Sequence, residues 1–297
     1  MSSICIIGAG KWGQALHYAL NQNQKCLIAS RTKKDIENFV SLEDALACEY
    51  LIIAIPSQSI REWLTLNFKY NRQKVLVAAK GIEADTGSFL QEIYEQFIPK
   101  ENLGFISGPS FASEVIKGLP TALVLNSSNK DFYDSFHPYF PSFIKTYYSS
   151  DVIGAEIAGA YKNVLAIASG ICDGLNLGEN ARASLISRGL VEMKRFGDHY
   201  GAKTNTFLGL SGAGDLFLTA SSTLSRNFRV GLGLAQNKTL STILQELGEV
   251  AEGVKTSEAI FKLSLEHNIY TPIANEVKQI LDGKDPQLSL KDLLKSN

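Results

Sequence analysis

Three observations predict the fold class of this 297-residue chain. Short β-branched runs alternate with amphipathic stretches through the first half, and a glycine-rich turn, Gly8-Ala9-Gly10-Lys11-Trp12-Gly13, follows the first of those runs. After about Asp151 the strand signals stop and helical periodicity takes over. Together they predict an α/β chain, in which an N-terminal Rossmann-type doubly wound sheet (residues 1–150) is followed by an all-α C-terminal domain (residues 151–297).

The elements follow in order. Strand signals fall at residues 3–7, 26–30, 50–55, 74–78, 104–107, 121–125 and 144–148. They are short and nearly all apolar, as strands buried on both faces of a mostly parallel sheet must be. Amphipathic stretches between them include residues 88–97 and 131–139, and helical spacing predicts further helices at 152–172, 181–200, 240–246, 255–266 and 273–281. Neither an internal repeat nor a low-complexity segment is visible.

Composition bounds the function. At 45% apolar and 20% charged residues with a net charge of −1, the chain can bury a full core, and no basic stripe points to a nucleic acid. Cys5, Cys26, Cys48 and Cys172 are far apart and form no C-x-x-C pair, which reads as free thiols in a reducing compartment rather than a disulfide frame or zinc site. The four histidines, His17, His137, His199 and His267, lack metal-ligand spacing and read as structural. No leader-like segment precedes the glycine turn and no apolar run approaches ~18 residues, so a cytoplasmic chain without a membrane span is expected.

Chemistry is readable at several places. In the first turn Gly8 permits the tight bend from strand to helix, Gly10 lets a pyrophosphate approach the backbone, and Gly13 lets the helix pack closely. The pyrophosphate of a dinucleotide would rest on the helix N-terminus. After the second strand the chain reads Ser30-Arg31-Thr32-Lys33-Lys34, where an acid would hold the ribose 2′-hydroxyl of NAD. A basic turn there suits a 2′-phosphate, so NADP(H) joins NAD(H) as a candidate; a solvated basic turn is the alternative.

Two loops at strand ends follow. Lys80 stands in Ala79-Lys80-Gly81-Ile82-Glu83, and Gly108-Pro109-Ser110-Phe111-Ala112 makes a turn whose serine is placed to cap a helix. In the long helix, Ile153, Ile157, Ala160, Val164, Ile167 and Ile171 form an apolar stripe. A second line, Ala155, Gly159, Lys162, Ala166, Ser169 and Asp173, holds small residues around one long cation. That line reads either as a cleft wall carrying a lysine base or as a helix contact from which a lysine snorkels. Farther on, Asp215 and Ser225-Arg226-Asn227 lie in a polar, glycine-rich region that reads as a phosphate grip or as a helix-capping connection. Val250 and Glu252 open a later helix.

Taken together and in order, these segments resemble the bacterial NAD(P)-dependent glycerol-3-phosphate dehydrogenases over nearly the whole chain. The run from Gly159-Ala-Tyr-Lys-Asn-Val through Asp173-Gly174 to Arg188-Gly-Leu-Val-Glu-Met193 is the most specific part. The resemblance implies reversible hydride transfer between NADP(H) or NAD(H) and sn-glycerol 3-phosphate, giving dihydroxyacetone phosphate, in service of phospholipid synthesis. It implies Lys162 as general acid/base. Lys80, Gly108, Ser110, Lys162, Asp215, Ser225, Arg226 and Asn227 would line the substrate. Gly8, Gly10, Lys11, Trp12, Gly13, Arg31, Lys80, Ala112, Arg226, Val250 and Glu252 would hold the cofactor. The helical domain could supply a homodimer surface.

The chain departs from the family pattern in a short stretch between Arg31 and Ser41, in Lys11 within the glycine turn, and in Ser211-Gly-Ala-Gly. The first two bear on cofactor preference and none touches Lys162 or Arg226-Asn227. Two other readings stay open at this point: a two-domain hydroxyacid or ketopantoate-type reductase, which would need a carboxylate grip, and a dinucleotide sensor without catalysis, which would have no use for Lys162.

Overall fold

The computed structural model describes residues 3–295. Two compact units emerge: one takes the chain as far as Lys80 together with Leu90–Val152, and the other takes Gly81–Phe89 and everything from Ile153 onward.

The first unit is built on seven strands: β1 (Ile4–Ile7), β2 (Cys26–Ala29), β3 (Tyr50–Ile53), β4 (Lys74–Val77), β5 (Leu103–Ser107), β6 (Thr121–Asn126) and β7 (Ile144–Ser149). Their order is β2-β1-β3-β4-β5-β6-β7, and every pair is parallel except β5–β6. The helices are α1 (Lys11–Asn21), α2 (Leu42–Leu46), α3 (Ile60–Asn67), α4 (Leu90–Tyr94), α5 (Ala112–Val115) and α6 (Lys130–Phe136). Alternate strand residues serve opposite faces. Ile4, Ile6, Ile28, Ile52 and Leu76 pack with Leu16 and Leu20 of α1 and Phe132 and Phe136 of α6. Cys5, Ile7, Leu51, Ile53, Val75 and Val77 pack with Leu64 of α3 and Ile93 and Tyr94 of α4. Both faces are covered, which is why these strands are continuous apolar runs.

β1 is flanked by β2 on one side and β3 on the other, so the strand order reverses between β1 and β3. At that switch the carboxyl ends of the strands leave a crevice in which open α/β sheets take their ligands. Between β5 and β6 the connection carries only the four-residue α5, and the chain turns back to run antiparallel beside β5.

The second unit is helical: α7 (Val152–Gly174), α8 (Glu179–His199), α9 (Thr204–Leu208), α10 (Asp215–Ala220), α11 (Arg226–Ala235), α12 (Leu240–Leu247), α13 (Glu252–Glu266), α14 (Pro272–Leu281) and α15 (Pro286–Lys295). From Ile157 to Cys172 the helix α7 is buried all round, so it is the axis of this unit rather than one of its faces. Helix α11 crosses it at very close range. A Cβ on Gly231 would lie 2.1 Å from the Ile167 carbonyl oxygen, and one on Gly170 would lie 2.0 Å from that of Phe228. Small residues on this helix therefore serve helix–helix approach as well as any ligand.

Residues 81–89 form a short excursion that a single boundary near residue 150 does not describe. Ile82 and Phe89 bridge in antiparallel fashion, Phe89 meets Tyr200 edge-on at 5.0 Å, and Lys262 Nζ donates to the Asp85 carbonyl at 2.9 Å. The helix expected at residues 88–97 is accordingly shorter: the Ser88 carbonyl accepts from the Glu83 N–H at 3.0 Å, and α4 begins only at Leu90. No helix among the described residues is long and apolar enough to cross a membrane.

Candidate active site

In the first unit the glycine turn is fixed by sterics. Gly8 has φ +113°, and a Cβ on it would lie 2.5 Å from the Ala54 carbonyl oxygen. A Cβ on Gly13 would lie 1.8 Å from the Gly8 carbonyl oxygen, so the first turn of α1 rests directly on the bend. At Gly10 the same construction meets nothing within 4 Å. Two glycines are thus demanded by the protein, and the third leaves open space at the N-cap of α1. Gly10 offers no capping side chain, so the helix N-terminus presents its N–H groups to an anion. The turn suits the pyrophosphate of a nicotinamide dinucleotide.

Lys11 begins α1 and is exposed, while Trp12 is half-buried against the core that also receives Ala112 of α5. Arg31 lies exposed just beyond β2. Its neighbour Lys34 reaches the turn itself, donating from Nζ to the Ala9 carbonyl at 2.6 Å. In the sequence that lysine is only one member of a basic run. Its contact with the glycine turn places a second cation beside the expected pyrophosphate.

Lys80, Gly108 and Ser110 come together. Lys80 Nζ donates to the Gly108 carbonyl at 3.1 Å, and Ser110 Oγ donates to the same oxygen at 3.2 Å. Ser110 does not cap a helix, as its position suggested. The cap of α5 is Phe111, with no side-chain hydrogen bond, and the serine turns back onto the Gly108 carbonyl instead.

In the second unit Lys162 sits near the middle of α7, only 8% exposed. Its Nζ donates to Asp215 Oδ1 at 2.8 Å and to Thr219 Oγ1 at 3.0 Å. The lysine therefore does not stand alone among small side chains, as its helix line suggested. An ammonium taken out of water needs a carboxylate and further acceptors, and Asp215, 1% exposed, provides the first of them. Asp215 begins α10 just after a π-helical turn at Leu210–Gly214, in which the Gly214 N–H reaches the Gly209 carbonyl. Such turns recur at functional sites because they re-aim the residue that follows. Thr219, missed in the sequence, lies four residues after Asp215 on the same helix face, and that spacing was the available signal.

The Ser225-Arg226-Asn227 block divides its labour. Ser225 is the N-cap of α11, with Oγ accepting from the Phe228 N–H at 3.2 Å. Asn227 is buried. Its Oδ1 accepts from the Gly253 N–H at 3.0 Å, and its Nδ2 donates to Asn163 Oδ1 at 2.9 Å. A backbone N–H can only donate, so the amide orientation is set, and the second Nδ2 hydrogen remains for a ligand acceptor. Asn163 follows Lys162, Asn227 follows Arg226, and Gly253 follows Glu252. One chain of hydrogen bonds thus fixes the three helices that carry the expected site residues. A Cβ on Gly253 would fall 2.7 Å from Asn227 Oδ1 and 2.8 Å from the Asn163 carbonyl, so only glycine fits. Arg226 is half-exposed and pairs with Glu249. Glu252 opens α13 and Val250 is exposed in the connection before it.

Glu192 of α8 holds Tyr161, the residue before Lys162 in the sequence. It is buried and accepts from the Ile273 and Ala274 N–H groups at 2.9 and 2.8 Å, and from the Tyr161 hydroxyl at 2.8 Å. A carboxylate from one helix thereby caps α14 and holds the residue next to Lys162. Burial pushes its carboxyl above the usual range, against the pull of those three donors. Among the described residues no group of three histidines, cysteines or carboxylates could hold a metal.

Comparison with known proteins agrees across both units. The family description "NAD-dependent glycerol-3-phosphate dehydrogenase N-terminus" matches residues 19–133, and its C-terminal counterpart matches residues 151–291. A protein of Sulfurimonas denitrificans named glycerol-3-phosphate dehydrogenase [NAD(P)+] is 61% identical over 294 residues, covering 99% of each chain. One of Campylobacter jejuni with the same name is 60% identical over 294 residues, again covering 99% of each. The crystal structure of a glycerol-3-phosphate dehydrogenase from Coxiella burnetii superposes with a TM-score of 0.90 at 32% identity, covering 99% of each chain. The chain belongs to the NAD-dependent glycerol-3-phosphate dehydrogenase family.

Proposed function

We propose that this chain catalyses the reversible NAD(P)-dependent reduction of dihydroxyacetone phosphate to sn-glycerol 3-phosphate, the backbone precursor of phospholipids. The observation that carries this reading is the identity with enzymes of that name along the full chain, at about the same level in two genera. The buried Lys162–Asp215 pair supplies chemistry that fits it. Gly8, Gly10, Gly13, Lys11, Trp12, Arg31 and Ala112 hold the dinucleotide, with Lys80, Arg226, Val250 and Glu252 as further contacts. Bound, its nicotinamide supplies or accepts the hydride.

The chain's own groups handle the rest. Lys162 gives a proton to the oxygen on C2 as the ketone is reduced, and takes it back when the alcohol is oxidised. Asp215 and Thr219 fix where its Nζ points. Lys80 adds a cation suited to the negative charge that develops on a ketone being reduced. Arg226 and the free Nδ2 hydrogen of Asn227 grip the phosphate, and Gly108 and Ser110 border the substrate. Binding energy from that phosphate orients C2 for reaction. Four buried free cysteines suit a cytoplasmic enzyme. A homodimer completes the reading, and exposed Leu208 and Phe217 offer it apolar surface.

Initial rates of NADPH and NADH oxidation with dihydroxyacetone phosphate test the proposal. Turnover that depends on the ketone phosphate is expected. Absence of turnover with both nucleotides would overturn it.

A further inference from the structure

Within the phosphate-gripping block, Ser225 is committed to capping α11, and Asn227 is tied at both ends of its amide. Arg226 is the group with reach. Its Nη1 donates to Glu249 Oε2 at 3.2 Å, in a pair whose side chains are 45% and 28% exposed. Glu249 belongs to the short connection between α12 and α13, beside Gly248, which has φ +61°. That connection also carries Val250 and Ala251, and the next helix begins with Glu252. The chain therefore supplies its own carboxylate to the guanidinium meant for the substrate.

We propose that Glu249 is an affinity-setting residue: an internal monoanion that occupies Arg226 and must be displaced by any anion that binds there. The proposal rests on the reading that Arg226 grips the substrate phosphate. Exchanging one carboxylate for another gains no charge, so a hydroxy acid must displace Glu249 without Coulombic reward. A phosphate monoester carries a charge of about −1.5 to −2 at pH 7 and presents three acceptor oxygens to the guanidinium fork. It wins the exchange. The displacement costs every anion the same, so Glu249 raises the threshold for binding at Arg226 and leaves the ranking of ligands to their own charge.

Glu249→Gln and Glu249→Ala test this against inorganic phosphate and glycolate as competitive inhibitors. An exposed pair of this kind is worth up to about a fivefold change in an equilibrium constant. Both variants should lower the KM for dihydroxyacetone phosphate and the Ki for phosphate by about two- to fivefold. They should lower the Ki for glycolate by the same factor, because the pair that must be broken is the same for both anions. Arg226→Ala serves as the reference and should raise the phosphate Ki. An unchanged or raised phosphate Ki in both Glu249 variants, with Arg226→Ala weakened, overturns the role of Glu249 alone. A phosphate Ki that falls while the glycolate Ki keeps its parental value does the same. A phosphate Ki untouched by Arg226→Ala overturns the phosphate reading of Arg226, and the inference with it.

Discussion

Removing Lys162 is the perturbation that must separate proton transfer from folding. The ammonium and the Asp215 carboxylate lie 2.8 Å apart, with side-chain exposures of 11% and 2%. Deleting one partner of such a buried pair costs about 3–5 kcal/mol, because the other charge stays behind in a medium that solvates it poorly. Lys162→Ala leaves the Asp215 carboxylate with Thr219 Oγ1 at 3.3 Å and takes away the ammonium that faces it at 2.8 Å. Inactivity of that variant would then have two causes. The combined variant Lys162→Met with Asp215→Asn removes both charges and keeps most of the volume, and neutral replacement of buried pairs is often harmless to stability. Urea unfolding and initial rates should be measured on both. Lys162→Ala is expected to lose about 3–5 kcal/mol, and the double variant to recover to within about 1 kcal/mol of the parent. Both should lose roughly 10²- to 10⁴-fold in kcat, the usual worth of a general acid/base. A double variant within tenfold of the parental kcat refutes Lys162 as the proton carrier. A loss below about 1 kcal/mol in Lys162→Ala refutes the energetic account of the pair.

Three further expectations follow from the same reasoning. Gly10→Ala should fold as the parent, because its Cβ meets no protein atom, and should lose nucleotide affinity; Gly13→Ala, 1.8 Å from the Gly8 carbonyl oxygen, should lose both stability, by at least about 1–3 kcal/mol, and binding. NADPH titration with thermal melting separates the two, and parental affinity in Gly10→Ala would remove the pyrophosphate from this turn. Arg31→Ala should raise the KM for NADPH by about tenfold while leaving NADH nearly unchanged, since only NADPH carries the 2′-phosphate; equal effects would exclude Arg31 from reading it. Burial raises the Glu192 carboxyl above its unfolded value of 4.5, so the native state holds that proton more tightly. Its contribution to stability is therefore greatest below pH 4.5 and declines as pH rises through the folded value. The stability difference between the parent and Glu192→Gln, measured by urea unfolding from pH 4 to 8, should shift against the parent with rising pH, and a flat difference would contradict this sign.

The sheet was legible because strands covered on both faces announce themselves as unbroken apolar runs, and the glycine turn because strand, bend and helix are adjacent in sequence. Failures came where a residue's fate depends on something distant. Lys162 looked solitary along its own helix, yet its carboxylate partner lies 53 positions on, and periodicity within one helix carries no trace of that pairing. Ser110 looked like a cap because cap chemistry is local, but the helix starts one residue later and the hydroxyl bonds back to Gly108. The segment 81–89 was invisible as an excursion, since its commitment lies in Phe89 against Tyr200 and in Lys262 reaching Asp85. In the sequence, Ser225-Arg226-Asn227 reads as a phosphate grip or as a helix-capping connection, and nothing there divides the two roles among the residues. In the fold the serine is spent on a helix cap and the asparagine retains one hydrogen, while the arginine is held by a carboxylate from another connection. Residue type proposes which groups could bind an anion. Only the competing partners inside the protein determine which of them an arriving phosphate must win, and at what cost.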